Sequence, residues 1–272
     1  MVENEKNAYI LGTEREELHR LGLQHQVWAS EAREAWKLAE IGHGQRVLDL
    51  GCGPGFCTRD LAYIVGKTGE VVGVDKSPGF IDFLNKTADL HQLNMKGVCA
   101  DFDEMDLGEQ TFDAAYCRWG LAWVPNPEEV ISKVRKALVP GGAFVVHEYY
   151  DWSTLQTEPS LPNLDKCIAA ALKSFKSPPG EIDIGRYLPG LFYDEGLEVI
   201  SVRPMTKMAT PESLVWQWPN SFFHIYFPKL IDMGLLDAET CKQGLEEMNE
   251  LAGLPQATIL CPHMVEVIGV KM

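Results

Sequence analysis

Residues 47–56 read VLDLGCGPGF and place an acid, Asp49, ahead of three glycines at alternate positions, Gly51, Gly53 and Gly55. Glycine at that density lets the backbone turn sharply or lets a ligand approach it closely. Both the phosphates of a nucleotide and the zwitterionic tail of an amino acid can use such bare backbone. A dinucleotide fingerprint, G-x-G-x-x-G, would put its third glycine at position 56, where this chain has Phe56. Asp75 lies 24 residues after Gly51, at the end of the apolar run EVVGVD. A carboxylate there can accept hydrogen bonds from both hydroxyls of a ribose, a feature that nicotinamide-binding and other adenosine-binding folds share. Asp101 ends a third run, KGVCAD, where an acceptor can meet an adenine amine while Phe102 covers the ring.

These residues need a frame that brings strand ends together. RVLDL, EVVGVD, KGVCAD (96–101), FDAAYC (112–117) and AFVVHEYY (143–150) read as buried strands. Helical patterns separate most of them: TRDLAYIV, a segment opened by Ser77-Pro78, and one opened by Asn126-Pro127. Alternation of this kind predicts a parallel sheet with helices on both faces, whose ligands bind outside the carboxyl ends of the strands. Upstream, Thr13 and Glu16 have capping-box spacing, and Leu18, Leu21, Trp28, Ala32, Trp36 and Ala39 form a helical stripe on one helix or two consecutive ones. After Tyr150 the rhythm breaks. LEVISVRP (197–204) resumes as a sixth strand, residues 210–255 read as mostly helical, and MVEVIGVK (264–271) closes the chain as a seventh strand.

VLDLGCGPG, VVGVD, ADFDEM and FDAAYCRWGLAWVPNPEEVISKVRKALVPGGAFVV, in that order, resemble a class I S-adenosylmethionine-dependent methyltransferase over roughly residues 40–150. The resemblance is to the branch that holds ubiquinone, menaquinone and natural-product enzymes. It implies an α/β fold, a doubly wound, mostly parallel seven-stranded sheet in the order 3-2-1-4-5-7-6 with strand 7 antiparallel. N-terminal helices and a helical lid insertion accompany it. One domain results: a helical cap over residues 1–44, a cofactor-binding core over 45–150, lid and substrate segments over 151–196 and 205–256, and final strands at 197–204 and 257–272. It implies S-adenosyl-L-methionine as cofactor and S-adenosyl-L-homocysteine as product. Gly51 and Gly53 would approach the methionine part, Asp75 and Lys76 would lie along the ribose, and Asp101 and Phe102 would frame the adenine. Arg118 would line the methionine side, and Tyr9 would close over the cofactor.

Methyl transfer from a sulfonium is an in-line displacement that mainly requires alignment and exclusion of water. A general base is needed only for a nucleophile with a proton of high pKa. His147, Glu148 and His224 are the candidates for one. VWQWPNSFFHIYFP (215–228) has six aromatic residues in fourteen. It reads as packed helical core or as a lid over an apolar or aromatic acceptor, and the two readings are compatible. Trp119, Trp123, Tyr150, Trp152 and Phe223 are the expected pocket residues.

The whole-chain figures narrow the partners. A formal charge of −15 and an isoelectric point near 4.9 oppose nucleic acid and anionic lipid. CRWG stands where amino-methylating DNA enzymes carry an Asp/Asn-Pro-Pro-aromatic motif. The seven cysteines lack a CxxC pair, so they read as buried reduced thiols, and no metal set stands out. Tyr63 and Lys67 have the YxxxK spacing of short-chain dehydrogenases but lie too early to meet a nicotinamide. No stretch is long and apolar enough to span a membrane, and the acidic N-terminus lacks a secretory pattern, so a cytoplasmic location is expected. A protein that binds the sulfonium cofactor without transferring its methyl group stays open as the alternative to a small-molecule methyltransferase. A nucleic-acid methyltransferase is a weaker one.

Overall fold

The computed structural model describes residues 15–176 and 180–272. In chain order the elements are α1 (Arg15–Leu38), β1 (Arg46–Leu50), α2 (Phe56–Val65), β2 (Glu70–Asp75), α3 (Pro78–His91), β3 (Met95–Cys99), β4 (Phe112–Arg118), α4 (Pro127–Ala137) and β5 (Leu138–Asp151). There follow β6 (Gln156–Glu158), α5 (Pro162–Phe175), α6 (Leu188–Asp194), β7 (Leu197–Met205), β8 (Met208–Ala209), α7 (Leu214–Asp232), α8 (Ala238–Ala252), β9 (Thr258–Leu260) and β10 (His263–Lys271).

The main sheet runs β3-β2-β1-β4-β5-β10-β7. The β1–β2, β1–β4, β2–β3 and β4–β5 pairs are parallel, and β10 is antiparallel to both β5 and β7. That is the order 3-2-1-4-5-7-6 with the last strand reversed. Alternate strand residues feed two cores, because successive side chains leave opposite faces of a pleated strand. Val47, Tyr116, Val145 and Ile268 join one core with Trp36, Leu61 and Leu84. Leu48, Ala115, Val146 and Val267 join the other with Val134, Phe192 and the aromatic residues of α7.

The local rules explain most boundaries. Ser77 caps α3, its hydroxyl accepting from the Phe80 amide, and Pro78 fills the first turn where no N–H is needed. The stripe on α1 belongs to one continuous helix, and Thr13 of the capping-box pattern lies outside the described residues. β3 stops at Cys99, two residues short of Asp101, which sits in the following loop. Pro140-Gly141-Gly142 falls within the long β5, where Gly141 takes φ +81°.

The helical region 210–255 is two helices, α7 and α8, with Pro219 and Pro228 inside α7. A second sheet, β6-β9-β8, joins the segment after β5 to the chain just before α7 and just after α8. Its strands are three, three and two residues long, too short to carry an alternation pattern. All seven cysteines are free, and six are buried; Cys99 is exposed.

Candidate active site

The strand ends of β1, β2 and β4 open onto one cavity of about 810 Å³. The loop after β1 forms its floor. Gly51, Gly53 and Gly55 take φ of +69°, +52° and +84°, the left-handed region that disfavours any side chain. At Gly53 a Cβ would project into open space, whereas at Gly51 it would meet the Cα of Gly120 and the ring of Phe102. The glycines therefore both permit the turn and keep the backbone bare where it faces the cavity.

Asp75 is fixed by that loop. Its Oδ2 accepts from the Gly53 amide at 2.9 Å and its Oδ1 from the Ser77 amide at 2.8 Å. Burial raises its pKa, and the two amides oppose that rise. Each carboxylate oxygen keeps a further lone pair for a ligand. Asp49, on β1, accepts from the Thr58 hydroxyl at 2.6 Å, and burial pushes its carboxyl up to about 6.

Arg118 closes this end, held from α1. Its Nη2 lies 3.3 Å from His25 Nδ1, while His25 Nε2 lies 3.2 Å from Asp60. Burial lowers the His25 pKa. A neutral ring that accepts from Arg118 at Nδ1 must carry its proton on Nε2 and donate it to Asp60. Arg118 Nη1 is buried and has no partner among the described residues.

The other end is aromatic. Trp119, Trp123, Trp152, Phe175, Trp218 and Phe222 line it, with Phe223 and Tyr226 behind them on α7. Trp119 and Trp218 stack at 5.9 Å, Trp152 meets Phe175 edge-on at 5.1 Å, and Phe175 stacks on Tyr226 at 5.2 Å. Trp218 Nε1 donates to Gln24 on α1 at 3.0 Å. Helix α1 thus touches both ends through adjacent residues, Gln24 and His25.

Gly51, Gly53, Asp75, Lys76, Asp101, Phe102, Arg118, Trp119, Trp123, Trp152 and Phe223 all border this one cavity. Four other candidates do not. His147 is fully buried beneath the sheet, between the Tyr116 hydroxyl at 3.3 Å and Glu266 at 3.2 Å. Glu148 points to the opposite face and is equally buried, its Oε1 accepting from the Leu121 amide. His224 lies on the exposed side of α7, its Nδ1 near the Asn220 carbonyl of the preceding turn. Tyr150 is 48% exposed, under the Arg186 guanidinium. The period-2 alternation of β5 sends His147 to one face of the sheet and Glu148 and Tyr150 to the other, and it is Tyr149, between them, that borders the cavity. Tyr9 lies outside the described residues.

Asp49, Tyr116, Arg20, Gln24, Phe175 and Trp218 also border the cavity and were not singled out from sequence as site residues. Asp49 carried a signal, as the acid beside the glycines, and Trp218 lay in the aromatic stretch 215–228. The α1 residues meet Arg118 and Trp218 across 93 and 194 positions of chain, a distance no local pattern encodes.

Residues 47–142 match the family described as a methyltransferase domain. The sheet order and the strand-end cavity are those that the resemblance to a class I S-adenosylmethionine-dependent methyltransferase implies. A demethylmenaquinone methyltransferase of Staphylococcus aureus is 31% identical over 151 residues, which is 55% of this chain and 58% of that protein. A ubiquinone biosynthesis O-methyltransferase of Coxiella burnetii is 37% identical over 100 residues, 36% of this chain and 41% of that protein. The chain spans about half the length of the curated relatives it matches. Among solved structures, a Bacillus halodurans protein superposes with a TM-score of 0.61 at 14% identity, over 89% of this chain and 99% of its own. The geranyl diphosphate C-methyltransferase of Streptomyces coelicolor superposes at 0.54 and 14% identity, over 91% and 80%. At such identities the likeness is one of fold.

The cavity fits the cofactor of that class. A fixed carboxylate at the end of β2, bare backbone after β1, and a spare guanidinium N–H suit, respectively, ribose hydroxyls, a close amino-acid tail and its carboxylate.

Proposed function

We propose that this chain transfers a methyl group from S-adenosylmethionine to a small apolar or aromatic acceptor. One observation carries the proposal: a polar strand-end cradle and an aromatic chamber are two ends of the same cavity, whose size is at the upper end of ordinary ligand sites. Bound in the cradle, S-adenosylmethionine supplies a methyl carbon already activated by its sulfonium.

The chain's own residues then have positional work. Asp75 accepts from the ribose hydroxyls, Asp101 and Phe102 bracket the adenine, and Arg118 donates to the carboxylate of the amino-acid tail. Asp49 offers an acceptor to its ammonium group. Trp119, Trp152, Phe175 and Trp218 hold the acceptor and keep water from the reacting centre. The quinone-type and prenyl-type acceptors in the names of the relatives support an apolar acceptor. The charge of −15 supports a small molecule over a nucleic acid.

The test is transfer of label from methyl-labelled cofactor to a panel of phenols, quinols, amines and carboxylates, beside calorimetric binding of S-adenosylhomocysteine. Binding with turnover of one class is expected. Binding with no turnover of any would favour the second reading, a cofactor-binding protein of other chemistry. That reading draws on one fold neighbour, described as a [4+2]-cyclase, with a TM-score of 0.56 at 16% identity. No binding would remove both readings. Retardation of tRNA in a low-salt gel would argue for a nucleic-acid acceptor instead.

A further inference from the structure

Glu148 is a carboxyl group with no exposure at all, outside the cavity yet directly behind its wall. Its Oε1 accepts from the Leu121 amide at 2.8 Å. The amides of Gly120 and Ala122 lie close enough to act on the same carboxyl. Its Oε2 has no partner among the described residues. The Leu121 amide therefore gives the hydrogen bond by which the carboxyl holds the turn, with the neighbouring amides directed toward the same group.

The turn so held is an unusual one. Trp119 takes φ +56°, a conformation uncommon for any residue but glycine and costly for a bulky one. Its amide donates to the carbonyl of His147 at 3.1 Å, so the turn has two adjacent anchors on β5. The bonds within it, Trp123 to Gly120 and Val124 to Leu121, are both 3.4 Å long. The turn's own hydrogen bonds are therefore weak, and the anchors on β5 define its shape. Its residues separate the two ends of the cavity. Gly120 sits against Gly51 and near the Phe102 ring, while Trp119 and Trp123 face the aromatic chamber.

We infer that Glu148 is a positioning residue: its buried carboxyl holds the 119–123 turn, and through it sets Trp119 and Trp123 and the contact of Gly120 with the cofactor loop. Where it concerns cofactor and acceptor, this inference rests on the methyltransferase reading above. Where it concerns the turn, it does not.

The carboxyl is also ionisable within reach of ordinary buffers. Burial pushes it up to about 8, against the pull of the three amides. The side chains that face it add little charge. Cys117 of β4 is a thiol raised first by burial and then by Glu148 itself, Val265 is the partner on β10, and the turn presents backbone alone. Ionisation should then place a full charge against the Leu121 amide and shift the turn.

The test compares wild type, Glu148→Gln and Glu148→Ala by near-UV circular dichroism of the indoles between about pH 6 and pH 9, and by S-adenosylhomocysteine affinity. Wild type should show a spectral step centred near pH 8. Glu148→Gln, which keeps the acceptor oxygen but cannot ionise, should keep the neutral-pH spectrum and lose the step. Glu148→Ala should flatten the indole signal and weaken S-adenosylhomocysteine about tenfold. A wild type without a step, a step that persists in Glu148→Gln, or a Glu148→Ala protein with unchanged spectrum and affinity would each overturn the inference. If Glu148→Ala does not fold, the Glu148→Gln titration decides alone. Failure of wild type to bind S-adenosylhomocysteine would strike the methyltransferase reading and leave the spectral comparison intact.

Discussion

The two ends of the cavity are built on opposite plans. The cradle is made of loop backbone and short acids at the ends of adjacent parallel strands, within residues 49–118. The chamber is made of large rings drawn from the turn after β4, the end of β5 and the turn that follows it, α5 and α7, from Trp119 to Tyr226. Cradle residues spend little of the protein's stability on being there, whereas chamber residues are at once wall and core. Phe223 borders the cavity and is also fully buried against Phe227, with ring centroids 4.7 Å apart. Substitutions at the two ends should therefore fail in different ways, and that contrast can be broken experimentally.

The largest effect is expected at the chamber and on stability. Phe223→Ala should cost about 3–5 kcal/mol in urea unfolding, the range for deleting a buried aromatic ring. Its S-adenosylhomocysteine affinity, measured where the variant is still folded, should stay within about threefold of wild type. A variant that stays stable but loses cofactor would show that the ring serves the cradle, and the division would collapse.

Asp75→Ala should do the reverse. It removes a charged acceptor that the ribose would otherwise use, so S-adenosylhomocysteine should bind about 10- to 100-fold more weakly by calorimetry, matching about 1.5–3 kcal/mol for a charge-assisted bond. The freed amides of Gly53 and Ser77 border an open cavity and can turn to water. Undiminished affinity would remove Asp75 from the cofactor site.

The same division explains what could be read from sequence. Asp75 and Asp101 are marked by position, because a polar residue closing an apolar strand stands out and parallel strand ends converge. The glycines are marked by backbone need, which the observed left-handed angles express. The parallel sheet followed from alternating elements, and its strand order from resemblance. Nothing comparable marks the chamber. In 215–228 aromatic residues suit a core as well as a pocket, and only tertiary packing shows that Trp218 and Phe222 border the cavity while His224 faces solvent. His147 and Glu148 misled because strand-end position was weighed without strand parity: one side chain serves the Glu266 network, the other the 119–123 turn.

Between the two ends stands Glu148, and its effect on stability should be graded with pH. Its pKa is raised in the folded protein from 4.5 to about 8. Below the unfolded value both states hold the proton, and the stabilisation is fully present. From there to about pH 8 only the folded state keeps it, so stability is lost as pH rises through that window. Glu148→Gln lacks this loss. Urea unfolding should show the variant gaining on wild type between pH 5 and pH 8, by at most about 1.4 kcal/mol per pH unit. Asp49, also raised by burial, to about 6, is present in both proteins and cancels in the difference. Parallel curves would mean that Glu148 ionises in the folded state as freely as in the unfolded one.

The smallest effect is expected one residue from the largest. His224 follows Phe223 on α7, but a step of one residue turns the side chain by about 100° around a helix, from the buried face to solvent. Its visible bond is to the Asn220 carbonyl at 2.9 Å, within its own helix. Burial contributes little at such a site, so His224→Ala should change stability by about 0.5 kcal/mol or less. Methyl transfer to whichever acceptor the panel identifies should be unchanged. A drop of tenfold or more in that rate, with stability unmoved, would place a proton-accepting group at the chamber from outside its present wall. The boundary of the acceptor site would then have to be redrawn to the outer face of α7.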